Sequence, residues 1–69
     1  MQRQPVSSSS IASIGYDPGQ QVLEVEFLNG GVYDYFSVPQ GLFDQLMAAG
    51  SLGSFFSNNI RNQFQFERL

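Results

Sequence analysis

The clearest alternation of apolar and polar residues lies in the range 21–28, which reads QVLEVEFL. Leu23, Val25 and Phe27 are its apolar positions, and two glutamates lie between them. Because successive side chains of a strand point to opposite faces, this pattern predicts a strand with one apolar face and one solvated face.

A shorter apolar run, over residues 11–16, precedes this strand. An Asp-Pro-Gly tripeptide at 17–19 separates the two runs, and each of its residue types favours a turn. The sequence therefore predicts two antiparallel strands joined by a turn. Residues 1–9 are mostly polar and include Pro5, a composition typical of a flexible lead-in.

The loop that leads into the next strand allows two registers. In a three-residue loop at 28–30 with a left-handed glycine, Val25 lies opposite Tyr33 and Leu23 lies opposite Tyr35, so both tyrosines join the apolar face. In a two-residue Asn-Gly turn, the tyrosines lie opposite the two glutamates instead. We expect the first register because it gathers the apolar side chains on one face.

After Pro39, apolar residues recur every three or four positions, which is the spacing of one face of a helix. Proline itself suits the first turn of a helix. One stripe consists of Leu42, Phe43, Leu46 and Met47, and a second of Leu52, Phe55, Phe56 and Ile60. Gly50 is expected to end the first helix and Ser51 to cap the second. Gly53 weakens that second helix, which points to a close contact there. The alternating tail at 63–68 predicts a short final strand.

These elements predict an α+β fold, with a small antiparallel sheet of three strands plus a short carboxyl-terminal strand packed against two short helices. A chain of 69 residues without an internal repeat is expected to form a single domain over 1–69. Strands left at the edge of so small a sheet permit either a monomer or a weak homodimer.

The composition argues against catalysis. Cysteine, histidine and lysine are absent, which removes the usual zinc ligands, the commonest general base and the Schiff-base nucleophile. Asp34, between the two tyrosines, is the one carboxylate in an aromatic setting, and no partner base is visible. We expect a protein that is not an enzyme and that holds no cofactor and no metal.

The charge balance is acidic, with three arginines against six carboxylates. Such a chain creates no general attraction for phosphates, so any contact with nucleic acid must be local. No window has the apolar length of a membrane span, and the amino terminus lacks the apolar core of a secretory signal. We therefore expect a cytoplasmic protein with no membrane partner.

The ordered segments of the chain resemble the KTSC domain family, over about Val6 to Leu69. The segments are VSSS, IGYD, LEVEF, an NG turn, YDY, VP, SLGSFF, NNIR and FQFERL. That family occurs at the carboxyl end of some lysyl-tRNA synthetases and as free-standing bacterial and phage proteins. The association with a synthetase implies RNA binding. Where the family usually carries basic residues, this chain has Ser54, Gln63 and Gln65, a departure that argues against phosphate contact.

The candidate contact residues are Tyr33, Tyr35, Phe55, Phe56, Arg61 and Arg68. The aromatic rings either form a stacking platform for unpaired bases or pack in the core, and we expect the core for both tyrosines and both phenylalanines. Arg61 either pairs with helix-terminal carbonyls, Asp34 or Glu67, which we expect, or joins Arg68 in gripping an anionic partner.

Two functions of different class remain open from the sequence. In the first, the domain is a binding module for RNA that uses aromatics and one or two arginines, which the resemblance favours. In the second, it is a protein-protein interaction module. One form of this hypothesis is that a phage encodes the module and that it acts on a larger protein machine. An acidic surface without lysine favours the second.

Overall fold

A computed structural model describes all residues, 1–69. The strands are β1 (Gln4–Pro5), β2 (Ile11–Asp17), β3 (Val22–Phe27), β4 (Val32–Tyr35) and β5 (Phe66–Arg68), and the helices are α1 (Gln40–Ala48) and α2 (Leu52–Asn59). The strands form one antiparallel sheet in the order β1-β2-β3-β4-β5. The α+β class with two helices is confirmed, and the sheet has one strand more than the sequence predicts. Neither helix has the length and hydropathy to cross a membrane.

The additional strand lies in the segment expected to be a flexible lead-in, residues 1–9. Gln4 pairs with Ile14, and the amide of Val6 donates to the carbonyl of Ala12. Pro5 is tolerated because β1 is an edge strand, where a missing amide proton costs no ladder hydrogen bond. The lead-in prediction is therefore wrong for this part of the segment. A strand of two residues is too short to show any periodicity in the sequence.

The β3–β4 hairpin has the register that the sequence favours. Val25 lies opposite Tyr33 and Leu23 opposite Tyr35, around a loop at 28–30. Gly30 has φ of 96°, a left-handed conformation that a residue without Cβ adopts at little cost. Both tyrosines consequently project from the apolar face of the sheet, as predicted.

A β-bulge between Ile11 and Ser13 explains the irregular spacing of apolar residues in β2. An extra residue in a strand reverses the alternation, so Ile11 and Ile14 reach the same face although they are three apart. Both are almost completely buried. The two helices cover this inner face. The buried cluster consists of Ile11, Ile14, Leu23, Val25, Tyr35, Val38, Leu46, Phe56 and Ile60.

The start of α2 has the cap and the close contact that the sequence predicts. The hydroxyl of Ser51 accepts a hydrogen bond from the amide of Ser54 at 3.3 Å. A Cβ added at Gly53 would lie 2.9 Å from the hydroxyl oxygen of Ser10. Glycine therefore lets the segment before β2 approach the first turn of the helix.

The outer face of the sheet carries the opposite set of side chains. Arg3 extends across Gly15 and donates to Glu24 at 2.6 Å and to Ser13 at 3.0 Å. Its path is open because Gly15 has no side chain. A Cβ there would lie 2.7 Å from the carbonyl oxygen of Gln2. The residues before β1 thus cover part of the face that the alternation of β3 predicts to be solvated, and Glu24 is buried beneath them.

Gly15→Ala should lower the free energy of unfolding by about 1 to 3 kcal/mol, because residues 1–3, just before β1, must shift to admit the new methyl group. Urea denaturation followed by circular dichroism measures the change. Gly41→Ala is the matched control, since Gly41 lies in α1 with open space around it. That control should gain up to about 1 kcal/mol from helix propensity. Equal stability of the Gly15 variant and the wild type would contradict the packing of residues 1–3 over Gly15.

Candidate binding site between the sheet and the second helix

A cavity of about 460 Å³ opens between the inner face of the sheet and α2. Ligand pockets in proteins typically span about 300 to 1,000 Å³. The lining residues are Ser10, Phe27, Asn29, Tyr33, Tyr35, Phe56, Ser57, Arg61, Asn62 and Phe66. The cavity therefore combines aromatic walls with amides, hydroxyls and one guanidinium, and no carboxylate lines it.

The aromatic walls form one packed cluster. Tyr35 meets Phe56 edge-on, with ring centroids 5.2 Å apart, and Phe27 meets Tyr33 edge-on at 5.6 Å. Tyr35 is 3% exposed and Phe56 is 2% exposed, so both belong to the core. The burial of Tyr35 raises the pKa of its hydroxyl, although the nearby positive charge of Arg61 acts to lower it. Arg61 and Tyr35 line the same cavity.

Phe66 is the aromatic residue that remains open to a ligand. It is 54% exposed, and its ring leans on Tyr33 at 5.8 Å and on Tyr35 at 5.5 Å. It is not among the contact residues that the sequence predicts. The alternation of Phe64 and Phe66 in the tail was the available signal, but pairing of β5 beside β4 was needed to bring the ring next to the tyrosines.

The structure brings four of the predicted contact residues into the cavity wall, Tyr33, Tyr35, Phe56 and Arg61. Arg68 lies just outside, with its guanidinium carbon 5.8 Å from the centroid of the Tyr33 ring. Phe55 does not line the cavity and is a half-buried residue packed against the core. The two adjacent phenylalanines therefore differ, since one is a central core residue and the other flanks it.

The expected ion pairs of Arg61 with Asp34 or Glu67 are absent, and that prediction is wrong. The chain has one ion pair, between Arg3 and Glu24. Asp34 and Glu67 face each other across β4 and β5 on the outer face, whereas Arg61 lines the inner cavity. The sheet itself separates the charges that the sequence suggested as partners.

Charge is consequently segregated across the sheet. Glu24, Asp34 and Glu67 lie in register on neighbouring strands and form a row on the outer face. Arg61 and Arg68 lie on the inner side and have no carboxylate partner. An acidic chain thus presents two uncompensated positive charges beside its aromatic cavity.

The outer row also perturbs the protonation of Asp34. Burial, a hydrogen bond with Glu24 and the charges of Glu24 and Glu67 raise the pKa of Asp34 to about 6, against a smaller opposing effect of the amino-terminal ammonium. Burial disfavours ionisation of Glu24 as well, but its hydrogen bonds with Asp34 and Arg3 outweigh that effect and lower its pKa. Oδ1 of Asp34 is buried and has no hydrogen-bond partner. A hydrogen bond between two carboxyl groups requires a proton on one of them, and the raised pKa of Asp34 favours Asp34 as its carrier.

Asp34→Asn should stabilise the protein at pH 8. The native carboxyl keeps its proton up to pH about 6, whereas the unfolded one releases it near 3.8, so wild-type stability falls as pH rises between these values. The asparagine amide donates to Glu24 at every pH. Because the site is half-buried, we expect a gain of about 1 to 2 kcal/mol above pH 6 that shrinks toward zero near pH 4.

Urea denaturation at pH 4.5, 6 and 8 measures this difference. Asp44→Asn is the control, because Asp44 is an exposed carboxylate of α1 away from the row, and it should leave the pH profile unchanged. A constant difference between Asp34→Asn and the wild type at all three pH values would contradict the shared proton.

The cavity can bind a flat ring together with an anionic group. Its open aromatic face suits stacking, and an unpaired guanidinium suits a phosphate or carboxylate. No group of three or more acidic side chains is placed to hold a metal ion.

Comparison with known proteins places this architecture in one family. The model of the KTSC domain matches residues 7–64. A KTSC domain protein from Yersinia pestis has a similar crystal structure, with a TM-score of 0.96 and 46% sequence identity over 99% of this chain and 96% of that one.

Relatives of two kinds share the sequence. A protein of Tsukamurella paurometabola is 44% identical over 62 residues, which are 90% of this chain and 92% of that protein. A lysine–tRNA ligase of Nostoc sp. is 39% identical over 61 residues, which are 88% of this chain but 11% of the ligase. The same unit therefore occurs in a protein of similar length and within a much longer enzyme. This chain belongs to the KTSC domain family.

Proposed function

We propose that this protein is a non-catalytic binding module that takes single-stranded RNA at the inner cavity. The observation that carries the proposal is the placement of Arg61 and Arg68, without carboxylate partners, around the exposed ring of Phe66. Stacking on an aromatic ring contributes about 1 to 3 kcal/mol per base, and arginine adds contacts to the neighbouring phosphates.

The net charge of −3 argues against RNA binding only if the acidic side chains lie near the binding site. The acidic row lies on the opposite face of the sheet, and at physiological salt charges are screened over about 8 Å in solvent. A phosphate at the mouth of the cavity is therefore closest to the two arginines. The positions where the family usually carries basic residues, Ser54, Gln63 and Gln65, do not line the cavity.

The similarity to part of a lysine–tRNA ligase supports the same ligand class, because that enzyme acts in contact with RNA. The matched region covers 88% of this chain, so we propose that the unit within the ligase and this protein use the same face. We propose a cytoplasmic location, which is where such an RNA partner is found.

Fluorescence anisotropy with a labelled single-stranded RNA of twelve nucleotides tests the proposal at 20 mM and 200 mM salt. We expect saturable binding at the lower concentration. With two phosphates neutralised, log K should fall with log salt at a slope of about −1.4. Duplex RNA should bind more weakly, since its bases are not free to stack. Absence of saturable binding to the single strand at 20 mM salt would eliminate RNA as the ligand.

A protein partner is the second candidate, and the free edge of β5 favours it. Phe66 in β5 is 54% exposed, and Leu69, directly after this strand, is 62% exposed; β5 pairs with a neighbour on one side only. Such an edge can accept a strand from another chain. Size-exclusion chromatography of the wild type and of Phe66→Ser, each mixed with cell lysate, tests this candidate. Elution of the wild type as a lone monomer would count against a protein partner. Co-elution of the same protein with both the wild type and Phe66→Ser would also count against it.

A further inference from the structure

We infer that the cavity is a site for one nucleotide, in which a single unstacked base lies against Phe66 and its phosphate contacts Arg61, while Arg68 contacts the next phosphate along the strand. This inference rests on the proposed function and makes it specific. The cavity binds one base, and each arginine contacts a different phosphate.

The number of bases follows from how many rings are free. Tyr35 and Phe56 are 3% and 2% exposed, so neither offers a face to a ligand. Tyr33 is half-buried, with Phe27, Tyr35 and Phe66 packed around it and Arg68 above its ring. Phe66 alone among the lining aromatics exposes more than half of its surface. A protein that binds a run of bases needs successive exposed rings, which this face does not provide.

The polar part of the wall suits the edge of one base. Asn29 and Asn62 both line the cavity. Oδ1 of Asn29 accepts from the amide of Gly31 at 3.0 Å, so its NH₂ group remains available as a donor. Amide side chains can pair with base edges of any identity through donors and acceptors. We therefore expect little preference between purine and pyrimidine, because stacking tolerates every base.

The two arginines differ in position, and this difference separates their roles. Arg61 is part of the cavity wall, whereas Arg68 stands outside it over the Tyr33 ring and near Gly31. A ligand confined to the cavity reaches the first guanidinium and not the second. A longer strand leaving the cavity across Tyr33 passes Arg68. A mononucleotide should consequently depend on Arg61 alone, and an oligonucleotide on both.

Amide chemical-shift titrations of ¹⁵N-labelled protein with AMP, UMP, adenosine and inorganic phosphate test this division. We expect AMP and UMP to bind with Kd on the order of 1 mM and within about threefold of each other. Shifts should concentrate at Arg61, Asn62 and Phe66. Arg61→Gln should weaken AMP binding about tenfold, and Arg68→Gln should leave it within twofold. Both variants should weaken binding of the twelve-nucleotide RNA.

The outcomes distinguish this inference from the proposed function. If the RNA binds but no mononucleotide shifts the cavity amides, the single-nucleotide site is wrong and RNA binding stands. The site is also wrong if inorganic phosphate or adenosine alone reproduces the AMP shifts and affinity, or if Arg68→Gln weakens AMP as much as Arg61→Gln does. If neither RNA nor mononucleotide binds, both the single-nucleotide site and the proposed function are wrong.

Discussion

Phe56→Ala should lower the free energy of unfolding by about 3 to 5 kcal/mol. The side chain is 2% exposed and packs edge-on against Phe27 at 5.5 Å and against Tyr35 at 5.2 Å. Its truncation removes a central contact between α2 and the sheet and leaves a void in a thin core. Domains of this size have little stability to lose, so we expect a protein largely unfolded at 37 °C.

Urea denaturation and thermal unfolding by circular dichroism measure the loss, and Phe66→Ala is the matched control. The control removes the same side chain from a site that is 54% exposed, and we expect it to cost less than about 1 kcal/mol. A Phe56→Ala protein with the urea midpoint of the wild type would show that Phe56 is a contact residue and not a core residue.

Arg61→Gln combined with Arg68→Gln should weaken binding of single-stranded RNA about 100-fold at 20 mM salt. Hydrogen bonds to charged groups contribute roughly 1.5 to 3 kcal/mol, and each 1.4 kcal/mol changes an affinity tenfold. With both guanidinium groups removed, the salt dependence should nearly vanish, because no phosphate counterions are then displaced at the site. Anisotropy titrations at two salt concentrations measure both effects.

Arg3→Gln is the control for net charge. It removes one positive charge from the outer face, where Arg3 pairs with Glu24 at 2.6 Å. RNA affinity should change less than threefold, whereas the stability should fall because buried Glu24 loses its cation. If Arg3→Gln weakened RNA binding as much as Arg61→Gln does, affinity would depend on total charge and not on the cavity.

The parts of the fold that follow from local chemistry were predictable. The alternation in β3 and the positive φ that Gly30 allows in the loop determine the hairpin register, and with it the face on which Tyr33 and Tyr35 lie. Ser51 caps α2 as its residue type suggests. Each of these features depends on residues close together in the chain.

The parts that escaped prediction depend on contacts between distant residues. β1 has two residues, and its position is set by pairing with β2 and by the contact of Arg3 with Glu24, which lies 21 positions away. Phe66 becomes a cavity residue because β5 pairs with β4, which brings it opposite Tyr35. No sequence periodicity records either pairing.

The distribution of charge likewise depends on which residues are neighbours in space. A sum over the chain counts six carboxylates against three arginines and predicts an unfavourable field for phosphate. The period of two in β3 and β4 places Glu24 and Asp34 opposite the cavity face. For the attraction of phosphate, the face on which a charge lies therefore matters more than the net charge. Assigning a charge to a face requires knowing which strands are neighbours.

The location of a bound RNA strand is the most direct test of the binding face. Titration of ¹⁵N-labelled protein with the twelve-nucleotide single strand should shift the amides of Arg61, Asn62 and Phe66. The amides of Ser13 and Glu24 on the outer face should stay unchanged. Shifts concentrated at Ser13 and Glu24, with none around the cavity, would contradict the assignment of the inner face as the binding surface.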